Sequence, residues 1–205
     1  MRRFTKLSGM AAALPEANVD TDKILAGKFL KVIERRGLGR FLFFAQRFDD
    51  DGLERPDFVL NRPAWRSAVI LVALDNFGCG SAREHAPWAL ADYGIRCVIA
   101  PSFAEIFQNN CYKNGILPIT LPHLVVEQLL AEVDHAATAH MTIDLESQTV
   151  ISGRAKHFSF EIAPEKKEQL LLGLNEIDAS ERLLDRVIAF EGDIAYCCPS
   201  IPSRF

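Results

Sequence analysis

"AVILVALDNFGCGSAREHAPWALADYGIRCVIA", residues 68–100, decides how this chain folds. Residues 68–74 are apolar without interruption and too few for a buried helix. That pattern suits a strand covered on both faces, as in a parallel sheet. Asp75 ends the run, and Gly78 and Gly80 turn the chain. Residues 82–93 then read as a helix, and the apolar run at 95–100 as a second covered strand. Strand, helix, strand in this order predicts an α/β unit.

Further strands are predicted at residues 4–14, 117–121, 141–145, 149–152 and 157–162. The last three lie in "MTIDLESQTVISGRAKHFSFEI" (141–162), which alternates and turns like an antiparallel meander. Helices are expected at 103–111, 123–135, 164–173 and 180–195. Val126, Leu129, Leu130 and Val133 share one face of the second, and Leu183, Leu184, Val187 and Ile188 one face of the last. The result is a mixed, layered α/β domain. Two stretches resist assignment. "PEANVDTDKIL" (15–25) is polar and turn-rich, with Asp20 and Asp22 flanking Thr21. "ERRGLGRFLFFAQRFDDDGLERP" (34–56) is long and irregular, the mark of a functional loop or of disorder. Its Leu38, Phe41, Leu42, Phe43 and Phe44 argue against simple disorder.

The 205 residues fit one domain with an appendage, and 49% apolar content suffices for a core. A net charge of −4, mixed along the chain, recommends neither nucleic acid nor a membrane surface as a partner. No window reaches the length of a membrane span, and the Met-Arg-Arg start leads into a strand rather than a signal-peptide core. Five cysteines (Cys79, Cys97, Cys111, Cys197, Cys198) are an odd number with no C-x-x-C pair. That fits a reducing cytoplasm and gives no metal site in this chain. Cys97 reads as core.

The turn at 77–84 supports two readings. Ser81 with Glu84 fits the S-x-x-E capping box of an ordinary helix start. Equally, a glycine-bearing turn at a helix N-terminus exposes N–H groups where anions bind, and Arg83 adds a fork suited to a carboxylate. Phosphate-loop, dinucleotide and hydrolase-elbow patterns all fail on spacing. Cys79 and His85 have no spacing that would pair them as nucleophile and base.

"NFGCGSAREHAPWALADYGIRCVIAPSFAEIFQNNCYKNGILPI" (76–119) and "NVDTDKILAGKFLK" (18–31) resemble the small-subunit family of 3-isopropylmalate dehydratase, within the aconitase superfamily. The resemblance covers essentially the whole chain. It implies a single mixed-sheet swivelling β/β/α domain of the aconitase C-terminal type over residues 1–205. A mobile substrate-recognition loop would span about 34–56 and a helical appendage about 164–205.

The resemblance also implies roles. Ser81 would be the base that removes a proton from carbon, and Arg83 would bind a substrate carboxylate. Ala82 departs from the family, which often has a second serine there. Glu84 and His85 are expected to be structural, with Glu84 closing the cap and His85 tying the helix to the sheet. Asp20, Thr21 and Asp22 would face the cleft, with Asp22 supporting Ser81 or Arg83. Arg35 or Arg36 would meet a carboxylate, and Leu38 would touch the isopropyl carbons. A separate large subunit would carry a four-iron four-sulfur cluster and dock around Ser81 and the Asp20–Asp22 loop. The activity implied is a hydro-lyase interconverting 2- and 3-isopropylmalate in leucine biosynthesis. The residues alone leave two alternatives: the same chemistry on citramalate or homoaconitate, or a non-catalytic anion-binding module.

Overall fold

The structure, a computed structural model, describes residues 1–30, 36–81, 83–181 and 184–197. Arg35, Ala82, Leu183 and Cys198 lie outside the described residues. The chain divides into two compact units, Met1–Gly173 and Leu174–Phe205.

The first unit is built on seven strands. They are β1 (Lys6–Leu14), β2 (Ile70–Ala73), β3 (Cys97–Ala100), β4 (Leu117–Thr120), β5 (His140–Asp144), β6 (Thr149–Ile151) and β7 (His157–Ser159). Their order is β4-β3-β2-β1-β5-β6-β7. The four on the β4 side run parallel, and β5, β6 and β7 continue antiparallel. β1 belongs to both halves. Its residues from Lys6 to Met10 pair with β5, and those from Ala11 to Leu14 pair with β2. This hand-over within one strand gives a curled sheet. Every residue of β2 and β3 is buried, as their unbroken apolar runs predict, whereas β5 and β6 bury alternate residues.

The helices of this unit are α1 (Thr21–Ile24), α2 (Phe44–Arg47), α3 (His85–Tyr93), α4 (Glu105–Lys113), α5 (His123–Val133) and α6 (Pro164–Leu172). α3 and α4 are the crossovers of β2 to β3 and β3 to β4. Val126, Leu129, Leu130 and Val133 of α5 are all buried, as their spacing predicts. α6 belongs to this unit: Leu170 is fully buried, and its carbonyl accepts from the Phe4 N–H at 2.9 Å. Only residues beyond Gly173 form the second unit, which carries α7 (Glu176–Glu181) and α8 (Leu184–Cys197). Asn175 and Asp178 each accept from the other's backbone N–H at the start of α7, and α8 covers most of the predicted 180–195 helix.

The described part of the 34–56 stretch is packed. A 3-10 turn over Gly39–Phe41 leads into α2, and Leu38, Leu42 and Phe43 are fully buried. Arg47 is buried beneath it. Its Nε donates to Asn61 Oδ1 at 3.1 Å, and its Nη1 reaches the carbonyls of Gly39 and Leu42 at 3.4 and 3.3 Å. Burial lowers the Arg47 pKa, but a guanidinium starts so high that the charge persists. Cys97 and Cys111 are also fully buried, and burial pushes both thiols up, away from thiolate chemistry.

Candidate functional site

Three loops leave the carboxyl ends of β1, β2 and β3 and are laced together. The Asn18 N–H donates to the Asp75 carbonyl, and Asn76 Nδ2 donates to Asn18 Oδ1 at 2.8 Å. Asp20 bridges to Cys79, and Phe77 to Phe103. The Gly78 N–H donates to the Val19 carbonyl at 2.7 Å, and the Thr21 N–H to the Cys79 carbonyl at 2.8 Å. The stretches 15–25 and 77–84 singled out in the sequence are therefore joined through residues 18–21 and 75–79.

Within it the D-T-D triplet does three different things. Asp20 caps α1, its Oδ1 accepting from the Lys23 N–H at 2.6 Å. Thr21 is buried, and its Oγ1 accepts from the Ser81 N–H at 3.0 Å. Asp22 is exposed and lines a cleft with Thr21, Leu25, Leu30, Ser81, Arg83, His85 and Ala86. The structure thus brings Ser81, Arg83, His85, Thr21 and Asp22 to one place. Its volume among the described residues, about 10 Å³, is that of a single water site. A ligand-binding pocket is typically several hundred Å³. Among the described residues the cleft therefore does not by itself enclose a ligand of that size.

The capping reading of Ser81 is corrected. α3 begins at His85, and the position before it is Glu84 in a helical backbone conformation. Among the described residues no side chain caps α3, so Glu84 closes no capping box with Ser81. The reason is tertiary. Gly78 at φ +78° and Gly80 at φ +94° bend the chain through backbone regions that side chains avoid. Thr21 then takes the Ser81 N–H before a helix can start. The uncapped turn leaves the N-terminus of α3, with its partial positive charge, beside a cleft that His85 and Ala86 line.

His85 differs from expectation as well. Its ring lies 4.7 Å from that of Trp88, and its buried Nδ1 has no hydrogen-bond partner among the described residues. It lines the cleft and does not tie α3 to the sheet through that nitrogen. Arg83 is exposed at the cleft, and Arg36 is exposed on its loop. Leu38 is fully buried, so in this chain it supports the loop from within and offers no surface to a ligand. Half-buried apolar side chains nearby include Leu30 and the rings of Phe29 and Phe41. Phe29 stacks on Phe41 at 4.0 Å, with Lys28 Nζ 5.0 Å over the Phe29 ring.

Sequence reasoning passed over two anchors of the 36–42 segment, the buried Arg47 and Asp92. Asp92 Oδ2 accepts from the N–H of Gly37 at 2.9 Å and of Gly39 at 2.7 Å. A signal existed. Asp92 sits in the last turn of α3, where the helix dipole disfavours a carboxylate.

The hold on Ser81 gives a direct test. Thr21→Val keeps the shape but removes the acceptor of the Ser81 N–H. If Ser81 has the role the resemblance implies, turnover is expected to fall roughly tenfold or more, because small misplacements of a reacting group are costly. Thr21→Ser should stay within about threefold of the native chain, since it keeps the hydroxyl. Steady-state assays of both variants beside a melting curve check this.

A family model described as the aconitase C-terminal domain matches residues 1–124, and a second, described as LeuD_N, matches residues 127–164. The 3-isopropylmalate dehydratase small subunit of Rhodospirillum centenum is 57% identical over 191 residues, 93% of this chain and 94% of that protein. The chain belongs to the family of 3-isopropylmalate dehydratase small subunits. The small subunit of Roseobacter denitrificans is 55% identical over 199 residues, covering 97% of this chain and 99% of its own. Among solved structures, a 3-isopropylmalate dehydratase chain (leuD) from Methanocaldococcus jannaschii superposes with a TM-score of 0.64. It covers 90% of this chain and 99% of that one at 24% identity, and so speaks for the family's fold alone. Among the described residues no three His, Cys, Asp or Glu side chains are grouped to hold a metal ion. No helix among them is long and apolar enough to cross a membrane.

Proposed function

We propose that this chain is the small subunit of a 3-isopropylmalate dehydratase. With a large subunit it would interconvert 2-isopropylmalate and 3-isopropylmalate through 2-isopropylmaleate, a step of leucine biosynthesis. The observation that supports the reading is the convergence of Ser81, Arg83 and Asp22 on one small cleft, beside the uncapped start of α3.

In this reading Ser81 Oγ, as the alkoxide, takes the proton from the carbon beside the hydroxyl-bearing one. The C–H electron pair becomes the new double bond, and hydroxide leaves the neighbouring carbon. Water adds back with the hydroxyl on the other carbon to give the isomer. An alkoxide needs strong local stabilisation, which the partial charge at the start of α3 and the Arg83 guanidinium supply in a closed site. Arg83 also forks onto a substrate carboxylate, and Asp22 orients these groups from the facing loop. Arg35 and Arg36 would reach the second carboxylate from the 34–56 segment. The four-iron four-sulfur cluster expected in the large subunit supplies, when bound, Lewis acidity toward the leaving hydroxide. The large subunit would also enclose the site, so this chain alone would have no activity.

The test is an anaerobic assay of this chain mixed with a cluster-loaded large subunit. Formation of the conjugated double bond is followed by ultraviolet absorbance, with isopropylmalate and citramalate side by side. Turnover of isopropylmalate that requires both chains is the expected result. Turnover of citramalate alone would reassign the substrate, and Ala82 and the 34–56 segment are where that choice would lie. Silence toward both from a verified complex would leave a non-catalytic anion-binding module.

A further inference from the structure

Two ends of one helix serve two parts of the proposed site. His85 and Ala86, at the start of α3, line the cleft with Ser81. Asp92 lies seven residues further on, about 10 Å along the axis. A carboxylate in the last turn opposes the helix dipole, a modest cost for the exposed Asp92 that a further interaction can offset.

The compensation is the loop. One oxygen of Asp92 receives two backbone N–H groups, those of Gly37 and Gly39, at 2.9 and 2.7 Å. These are charge-assisted bonds and short ones. Gly39 also lies directly against the helix backbone: a Cβ there would sit 2.5 Å from the Tyr93 nitrogen. Arg47 also holds the carbonyls of Gly39 and Leu42. Leu30 lines the cleft, and Gly37, within the 36–42 segment, is bound by Asp92. Arg35 and Arg36 therefore fall in sequence between an anchor at the cleft and an anchor at the far end of α3.

We infer that Asp92 is a positioning residue that sets substrate affinity and selectivity by holding the 36–42 segment in register with the Ser81 cleft. The inference rests on the reading of that segment as the one that recognises substrate. Asp92 touches neither the cleft nor the reacting atoms, so its effect falls on binding and not on proton removal.

Three variants test it. Asp92→Ala removes the acceptor, Asp92→Asn keeps a carbonyl oxygen that can receive both N–H groups, and Asp92→Glu moves the oxygens by one methylene. The first readout needs no partner: limited trypsin digestion of the full chain, scored after the exposed Arg36 and Arg40. Cleavage there should be roughly tenfold faster in Asp92→Ala and close to native in Asp92→Asn. In the reconstituted complex, KM for 2-isopropylmalate should rise roughly tenfold in Asp92→Ala, with kcat within about twofold and the isopropylmalate-to-citramalate ratio altered. Asp92→Asn should restore both, and Asp92→Glu should raise KM should Asp92→Ala fail to fold. Unmoved KM and selectivity in variants that trypsin cuts faster would overturn the inference, since the tether would then be structural only. So would a fall in kcat matched by loss of subunit assembly. A native complex silent toward both substrates would instead sink the functional reading itself, and the digestion would still report the tether.

Discussion

Ser81→Ala is expected to lower turnover of the assembled enzyme by a factor on the order of 10³, the usual scale for losing a positioned general base, the role proposed for Ser81. The subunit interface and the melting temperature should be nearly unchanged. Ser81 is half-buried and its backbone N–H, not its hydroxyl, makes the bond to Thr21 at 3.0 Å. That bond survives the substitution, so the turn keeps its course. KM should move little, because the carboxylate contacts proposed for Arg83 and for Arg35 or Arg36 remain. Steady-state kinetics and analytical sedimentation of native and variant complexes check this together. A module that merely binds an anion would show the opposite: no change on losing the hydroxyl, and a clear loss of binding on Arg83→Ala.

The same residues show what a linear reading reaches. The covered strands at 70–73 and 97–100 were legible because burial on both faces writes itself as an unbroken apolar run. The meander of β5, β6 and β7 was legible by alternation and turns. The sharing of β1 between two halves of the sheet was not, since register depends on which partner lies on each side. The capping box at Ser81 matched a local pattern, yet Thr21, sixty residues earlier, overrides it through one hydrogen bond. Leu38 sits in a stretch that reads as surface recognition, but the loop turns it into the core. In each miss the deciding partner is distant in sequence. The partners of Asp92, Gly37 and Gly39, are distant too, but a carboxylate at the end of a helix is a local anomaly that hints at one.

The second large effect is expected at Gly78. With φ at +78°, any side chain there is strained by roughly 1–2 kcal/mol. A Cβ would also sit 2.1 Å from Cγ of Phe107, well inside contact distance. Phe107 cannot step aside: it is buried on α4 and packs edge-on against Phe77 at 5.5 Å. Overpacking of this kind adds about 1–3 kcal/mol. Gly78→Ala should therefore destabilise the chain by about 3 kcal/mol or more, near 10 °C in melting temperature for a unit of this size. Phe107→Ala in the same background separates the two causes. It removes the ring that the new methyl meets and opens a cavity, while the backbone strain stays. If the clash dominates, the double variant should lose clearly less than the sum of the two single variants. Activity should fall even in the folded fraction, because the Gly78 N–H holds the Val19 carbonyl and thereby keeps Thr21 in reach of Ser81. A Gly78→Ala chain that melts like the native one would mean that the turn relaxes at little cost, and that Gly78 does not fix where Ser81 stands.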